Sequence, residues 1–110
     1  MNENKSPQYR KAKVLFKNEL AGIIEETENG YRFTYNGVFS KKNVPISVSL
    51  PLRAEPYESK KLFSFFEGLL PEGWYKDLVS SKLKIDKNDH FGLLLATCQE
   101  TIGAVSIEVI

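Results

Sequence analysis

The chain is poor in the residues that build reactive centres. Its 110 residues include one cysteine, one histidine, one methionine and one tryptophan. A single cysteine excludes an intramolecular disulfide framework, and it leaves too few soft ligands for a zinc site of the usual kind. A single histidine excludes clustered-histidine metal sites and any two-histidine relay. The seven glycines are scattered and form neither G-x-G-x-x-G nor G-x-x-x-x-G-K-[ST], so neither phosphate-cradling loop is written here. The longest apolar run, Phe91 to Cys98, falls far short of the about 20 residues that a bilayer-spanning helix needs. The opening Met1-Asn2-Glu3-Asn4-Lys5-Ser6-Pro7 is polar and has no signal-peptide core. An excess of one charge is missing too. With 15 Lys+Arg against 14 Asp+Glu, the net charge of +1 gives no general reason to expect nucleic acid or an anionic membrane as partner. These absences predict a reduced, cytoplasmic protein without metal or cofactor.

What is present suits an ordinary globular core: 42% hydrophobic and 26% charged residues, enough for one small domain. Residues 1–8 read as a disordered start, and 9–110 as the domain. Charge is uneven along it. Residues 1–61 carry 11 basic and 7 acidic groups, and residues 62–110 carry 4 and 7. Alternation and turn signals predict strands at about 10–17, 20–27, 31–35, 44–50 and 104–109. Asn18-Glu19, Asn29-Gly30 and Asn36-Gly37 mark turns, and Gly22 inside a strand marks a bulge or a close backbone approach. The period changes after Pro56. Leu62, Phe65, Phe66 and Leu69 make one stripe of a helix over about 59–70 that Ser59 can cap and Pro71 must end. Helices at about 74–84, with Trp74, Leu78 and Val79 inward, and 89–98, capped by Asp89, follow. Strands, then helices, then a returning strand predict an α+β fold with a small antiparallel sheet.

Chemistry is sparse. Cys98 sits in an apolar helix and reads as a buried, inert thiol. His90, beside the Asp89 cap, reads as a solvated residue at a helix start. Glu67 and Glu72 flank Pro71 without a defined pocket and form a weak acid–base pair. Tyr31, Phe33 and Tyr35 share a strand face. With the basic first half they could stack nucleic-acid bases, or they could simply be core. The unusual density is Phe65-Phe66-Glu67-Gly68-Leu69-Leu70-Pro71-Glu72-Gly73-Trp74, with three large aromatics, two glycines, a proline and two acids. Trp74 at a helix start either wedges two helices together or projects into a partner's pocket.

That ten-residue segment resembles the hallmark of the N-terminal subdomain of HipA-type serine/threonine kinase toxins. Flanking stretches are similar too: Asn18-Glu19-Leu20-Ala21-Gly22, Ser47-Val48-Ser49-Leu50-Pro51-Leu52-Arg53, Asp89-His90-Phe91-Gly92-Leu93-Leu94 and Gly103-Ala104-Val105. The family's Gly-x-Asp-Cys-x-Gly-Ala run is replaced by Cys98-Gln99-Glu100-Thr101-Ile102-Gly103-Ala104. Such kinases carry their ATP-binding and catalytic residues after this subdomain, and no stretch here could serve as a kinase catalytic loop or metal-binding acid motif. The expectation is therefore a non-enzyme similar to the HipS-type antitoxin of HipBST systems. The resemblance implies a separate HipT-like serine/threonine kinase as partner. It also implies neutralisation of that kinase by filling a cleft or restraining a loop, with a HipB-like DNA-binding protein as a further member of a ternary complex. Direct nucleic-acid and membrane contacts are not expected. The partner surface assigned on this basis is Pro71, Glu72, Gly73, Trp74 and Tyr75, with Phe66 and Glu67 beneath or beside it. A scaffold joining kinase to DNA-binding protein, and a nucleic-acid-binding module, are the alternatives.

Overall fold

Extended stretches separated by turn signals in the first third of the chain build a three-stranded meander. A computed structural model describes residues 9–99 and 104–110. Its strands β1 (Lys11–Phe16), β2 (Glu19–Thr27) and β3 (Gly30–Tyr35) pair antiparallel in succession. The first turn is Lys17-Asn18, both at positive φ, as a tight hairpin demands. Between Val14 and Leu15 the register slips, because Gly22 and Leu20 of β2 face them and Ala21 is skipped. Gly22 sits at this bulge for a steric reason. A Cβ there would run into the Thr34 carbonyl and stand 2.9 Å from the Phe33 ring.

Two more strands complete the sheet in the order β4-β3-β2-β1-β5, with β4 at Tyr57–Ser59 and β5 at Val105–Val109. Inward residues Ala12, Val14, Ile24, Phe33, Val105 and Ile107 form one wall of the core. On the other face Lys11 and Lys13 are exposed. Four helices accompany the sheet among the described residues: α1 (Gly37–Ser40), α2 (Ser64–Glu67), α3 (Gly73–Leu83) and α4 (His90–Thr97). Phe66 from α2 and Phe91, Leu93 and Leu94 from α4 are fully buried against the sheet. This is the expected α+β class.

Several elements differ from the sequence expectation. Residues 44–50 form no strand. Ile46 and Leu50 are buried, as alternation suggests, but Val48 is 94% exposed. The segment folds instead around a buried phenol. The Tyr35 hydroxyl donates to the Leu50 carbonyl at 2.5 Å and accepts from the Ile46 N–H at 3.1 Å. Ser47 then turns the chain, its Oγ accepting from the Ser49 N–H at 3.2 Å. Local and long-range side-chain bonds have displaced the ladder, and the edge strand falls at β4.

The helix expected over 59–70 shrinks to the four residues of α2. Ser59 closes β4 rather than capping a helix, and Phe63 holds the N-cap position without a side-chain bond. Leu62, Phe66 and Leu70 still reach the core, from three different backbone settings. Asn36-Gly37 is a helix start rather than a plain turn, with Asn36 Oδ1 accepting from the Val38 and Phe39 N–H groups at 2.9 and 3.2 Å. Asp89 caps α4 as expected, accepting from the Gly92 N–H at 3.1 Å. Among the described residues no helix is long and apolar enough to cross a membrane.

A candidate docking corner

Between α2 and α3 the chain turns through Gly68, Leu69, Leu70, Pro71 and Glu72. The corner is anchored from inside. Phe66 is fully buried and meets the rings of Phe33, Phe63 and Phe65 edge-on at 5.7, 6.2 and 5.1 Å. Leu70 is buried, and the Leu69 carbonyl lies 3.5 Å from the Cys98 thiol. Glu67 is held by a residue far along the chain: His90 Nδ1 lies 2.6 Å from Glu67 Oε2. That bond ties α2 to the first residue of α4.

Outside this anchor the corner faces solvent. Pro71 is half-buried, and Glu72, Gly73 and Tyr75 are exposed. Glu72 is extended and occupies the N-cap position of α3 with no side-chain capping bond. Gly73 begins the helix at φ +57°, and nothing lies within 4 Å of where its Cβ would stand. Glycine is therefore selected here by backbone torsion, not by space. Trp74 lies in the first turn of α3, and its side chain lies outside the described ones.

The seven residues singled out in the sequence thus divide. Pro71, Glu72, Gly73 and Tyr75 form a continuous outer edge. Glu67 sits beside it, bonded to His90. Phe66 belongs to the core beneath and is no contact surface. Leu78, expected to face inward, is 43% exposed, whereas Val79 packs against the core. His90 is a half-buried partner of Glu67 rather than a free solvated residue. Their pairing across 23 positions carries no local sequence signal.

Next to the corner lies a groove of about 490 Å³, whose lining includes Ser49, Lys61, Ser64, Glu67 and His90 above Leu50, Leu62 and Phe63. Its hydroxyls and charges can accept and donate hydrogen bonds to a polar segment. Elsewhere the reactive types are committed. Burial raises the Cys98 thiol above its ordinary pKa, and Cys98 is 1% exposed. Phe33 and Tyr35 are core, so neither ring can stack on a base. Among the described residues no three His, Cys, Asp or Glu side chains converge to hold a metal ion. The 98–104 run falls partly outside the described residues, at positions 100–103.

An opposite-charge clamp braces the domain behind the corner. Arg10 bonds Glu26 through Nε and Nη2 at 2.9 Å each, and Asp89 through Nη1 and Nη2 at 3.0 and 2.8 Å. Its guanidinium also lies 5.4 Å from the Phe91 ring centre. Hydrogen bonds from Arg10 hold both carboxyls below their ordinary pKa values.

Fold and corner together define the class, a small α+β domain that carries an exposed helix-start edge on a braced core. Residues 12–108 match the family described as HipA N-terminal domain, and the chain belongs to that family. It is similar throughout to a solved N-terminal domain of HipA toxin. The TM-score is 0.72 at 30% identity, over 100% of this chain and 97% of the other. An uncharacterized protein of Haemophilus influenzae is 35% identical over 99 residues, which cover 90% of this chain and 92% of that protein. Y4mE of Sinorhizobium fredii, which bears the name of a kinase, is 30% identical over 78 residues. That match covers 71% of this chain and 19% of Y4mE.

Proposed function

We propose that this domain is a HipS-like antitoxin. It binds a separate HipT-like serine/threonine kinase and neutralises it without chemistry of its own. The observation that carries this reading is the outer edge Pro71-Glu72-Gly73-Tyr75. It is exposed apart from half-buried Pro71, a left-handed glycine sets its helix start, and the chain leading to it is anchored by the fully buried Phe66. A surface held this firmly loses little freedom on binding. Family membership supports the reading, since the same domain recurs within a much longer kinase-named relative. A domain able to pack on a kinase within one chain can retain that complementary surface and bind in trans. Inhibition then follows from occupancy, because a wedge beside a phosphate-binding loop prevents its closure.

Trp74→Ala tests the reading. The variant should keep its thermal midpoint within a few degrees and lose most of its inhibition of kinase autophosphorylation, as expected of an aromatic anchor at an interface centre. A folded Trp74→Ala chain that inhibits like the wild type contradicts this assignment of the corner. Co-elution with undiminished kinase activity favours the scaffold role instead.

A further inference from the structure

Helix α3 is held to the domain more thinly than its length suggests. Seven of its eleven residues, Gly73, Trp74, Tyr75, Asp77, Val79, Ser80 and Ser81, are of types with weak helix preference. Its N-cap, Glu72, makes no side-chain capping bond, and no acidic residue lies in the first turn to complement the helix dipole. Its C-cap falls to Lys84 in the left-handed conformation, which glycine adopts at least cost. A helix of this length and composition is marginal on its own, so packing must hold it. Packing gives little. Among the described side chains of α3 only Ser80 is buried, and only Val79 is a half-buried apolar residue packed against the core. Tyr75, Leu78 and Leu83 are exposed. The Asp77–Lys87 contact at 3.4 Å joins two exposed groups and contributes little.

Ser80 adds a cost. Its Oγ is buried and has no hydrogen-bond partner among the described residues, and a buried hydroxyl left without a partner destabilises the state that buries it. Helix α4 is the contrast, with a bonded cap at Asp89 and with Phe91, Gly92, Leu93 and Leu94 all buried. Leu70 before α3 and Ile85 after it both reach the core, so α3 spans two pinned ends. We propose that α3 is a separate folding unit: it opens and recloses while the sheet and α4 stay folded, and the Ser80 hydroxyl sets how readily it opens. The folded helix is the ground state, so the corner keeps the geometry described above. Tyr75 rides on α3, which links the two. Whatever covers Tyr75 suppresses the opening, and an opened helix removes Tyr75 from the corner. This property belongs to the free chain, whichever partner the corner takes.

The test is native-state hydrogen exchange of the full chain, followed by NMR across a urea series below the unfolding transition. The interior amides of α3, Leu78 to Leu83, should be protected at least about a hundredfold less than those of β2, β3 and α4. Their exchange should depend only weakly on urea, because the opening exposes little surface. Ser80→Ala should slow α3 exchange by about tenfold more than Ser81→Ala does. Ser81 is the exposed neighbour, where the same substitution makes the same gain in helix preference. Equal protection and equal urea dependence of α3 and the sheet would make the domain one cooperative unit and overturn the proposal. Ser80→Ala with no more effect than Ser81→Ala would overturn it too, since the buried hydroxyl would then not set the opening.

Discussion

Gly73 concentrates the demands of the corner in one residue. Its φ of +57° suits glycine, and open space surrounds the missing Cβ. Gly73→Ala should therefore cost about 1 kcal/mol from torsion alone, and Gly73→Asn less, read as shifts of the urea midpoint. Equal stability of all three would show that the turn relaxes. Phe66 is the opposite case, with full burial and no special backbone. Phe66→Ala should cost about 3–5 kcal/mol, so any lost binding in that variant reflects a lost fold. Arg10 makes a pH prediction. The folded-state pKa values of Glu26 and Asp89 are depressed below 4.5 and 3.8. Their contribution is thus present above those ordinary values and disappears as pH falls through the lower folded ones. Arg10→Ala should cost about 1 kcal/mol at neutral pH, given solvent screening of these part-exposed groups. The gap from wild type should narrow as pH falls below those ordinary values. A constant gap in thermal melts across that range would contradict the clamp.

At the scale of elements, the loop at residues 44–50 depends on one phenol. Tyr35→Phe leaves the Leu50 carbonyl and Ile46 N–H without their partner, and it should destabilise by about 1–3 kcal/mol. Val48→Asp, on the same loop, should stay within about 0.5 kcal/mol. A larger loss at Val48 in denaturant titrations would restore the strand reading. The contrast also shows what the sequence could reveal. Strand-like stretches and turn signals located β1, β2 and β3 to within a residue, the first turn falling at Lys17-Asn18 rather than Asn18-Glu19, because those strands are joined by local turns. Val44, Ile46, Val48 and Leu50 imitate that pattern, yet a hydroxyl 11 to 15 positions upstream decides their backbone. The 59–70 stripe was legible as core and not as helix, since Leu62 and Leu70 are buried outside α2. The corner was legible through its dense motif. The Glu67–His90 tie and the outward Leu78 were not, because tertiary packing sets them and no local period encodes them.

At the scale of the molecule, a sheet open on one face and a helical layer on the other leave the corner and α3 at the rim of the core. The core supplies rigidity, the clamp of Arg10 with Glu26 and Asp89 fixes α4, and α4 holds Glu67 at the corner through His90. Such an arrangement suits a domain whose work is to occupy a surface. The most direct test of that claim is autophosphorylation of a HipT-like kinase with and without an equimolar amount of this protein, with gel filtration in parallel. The account predicts co-elution and loss of phosphorylation. Undiminished phosphorylation with the two chains eluting apart would contradict it.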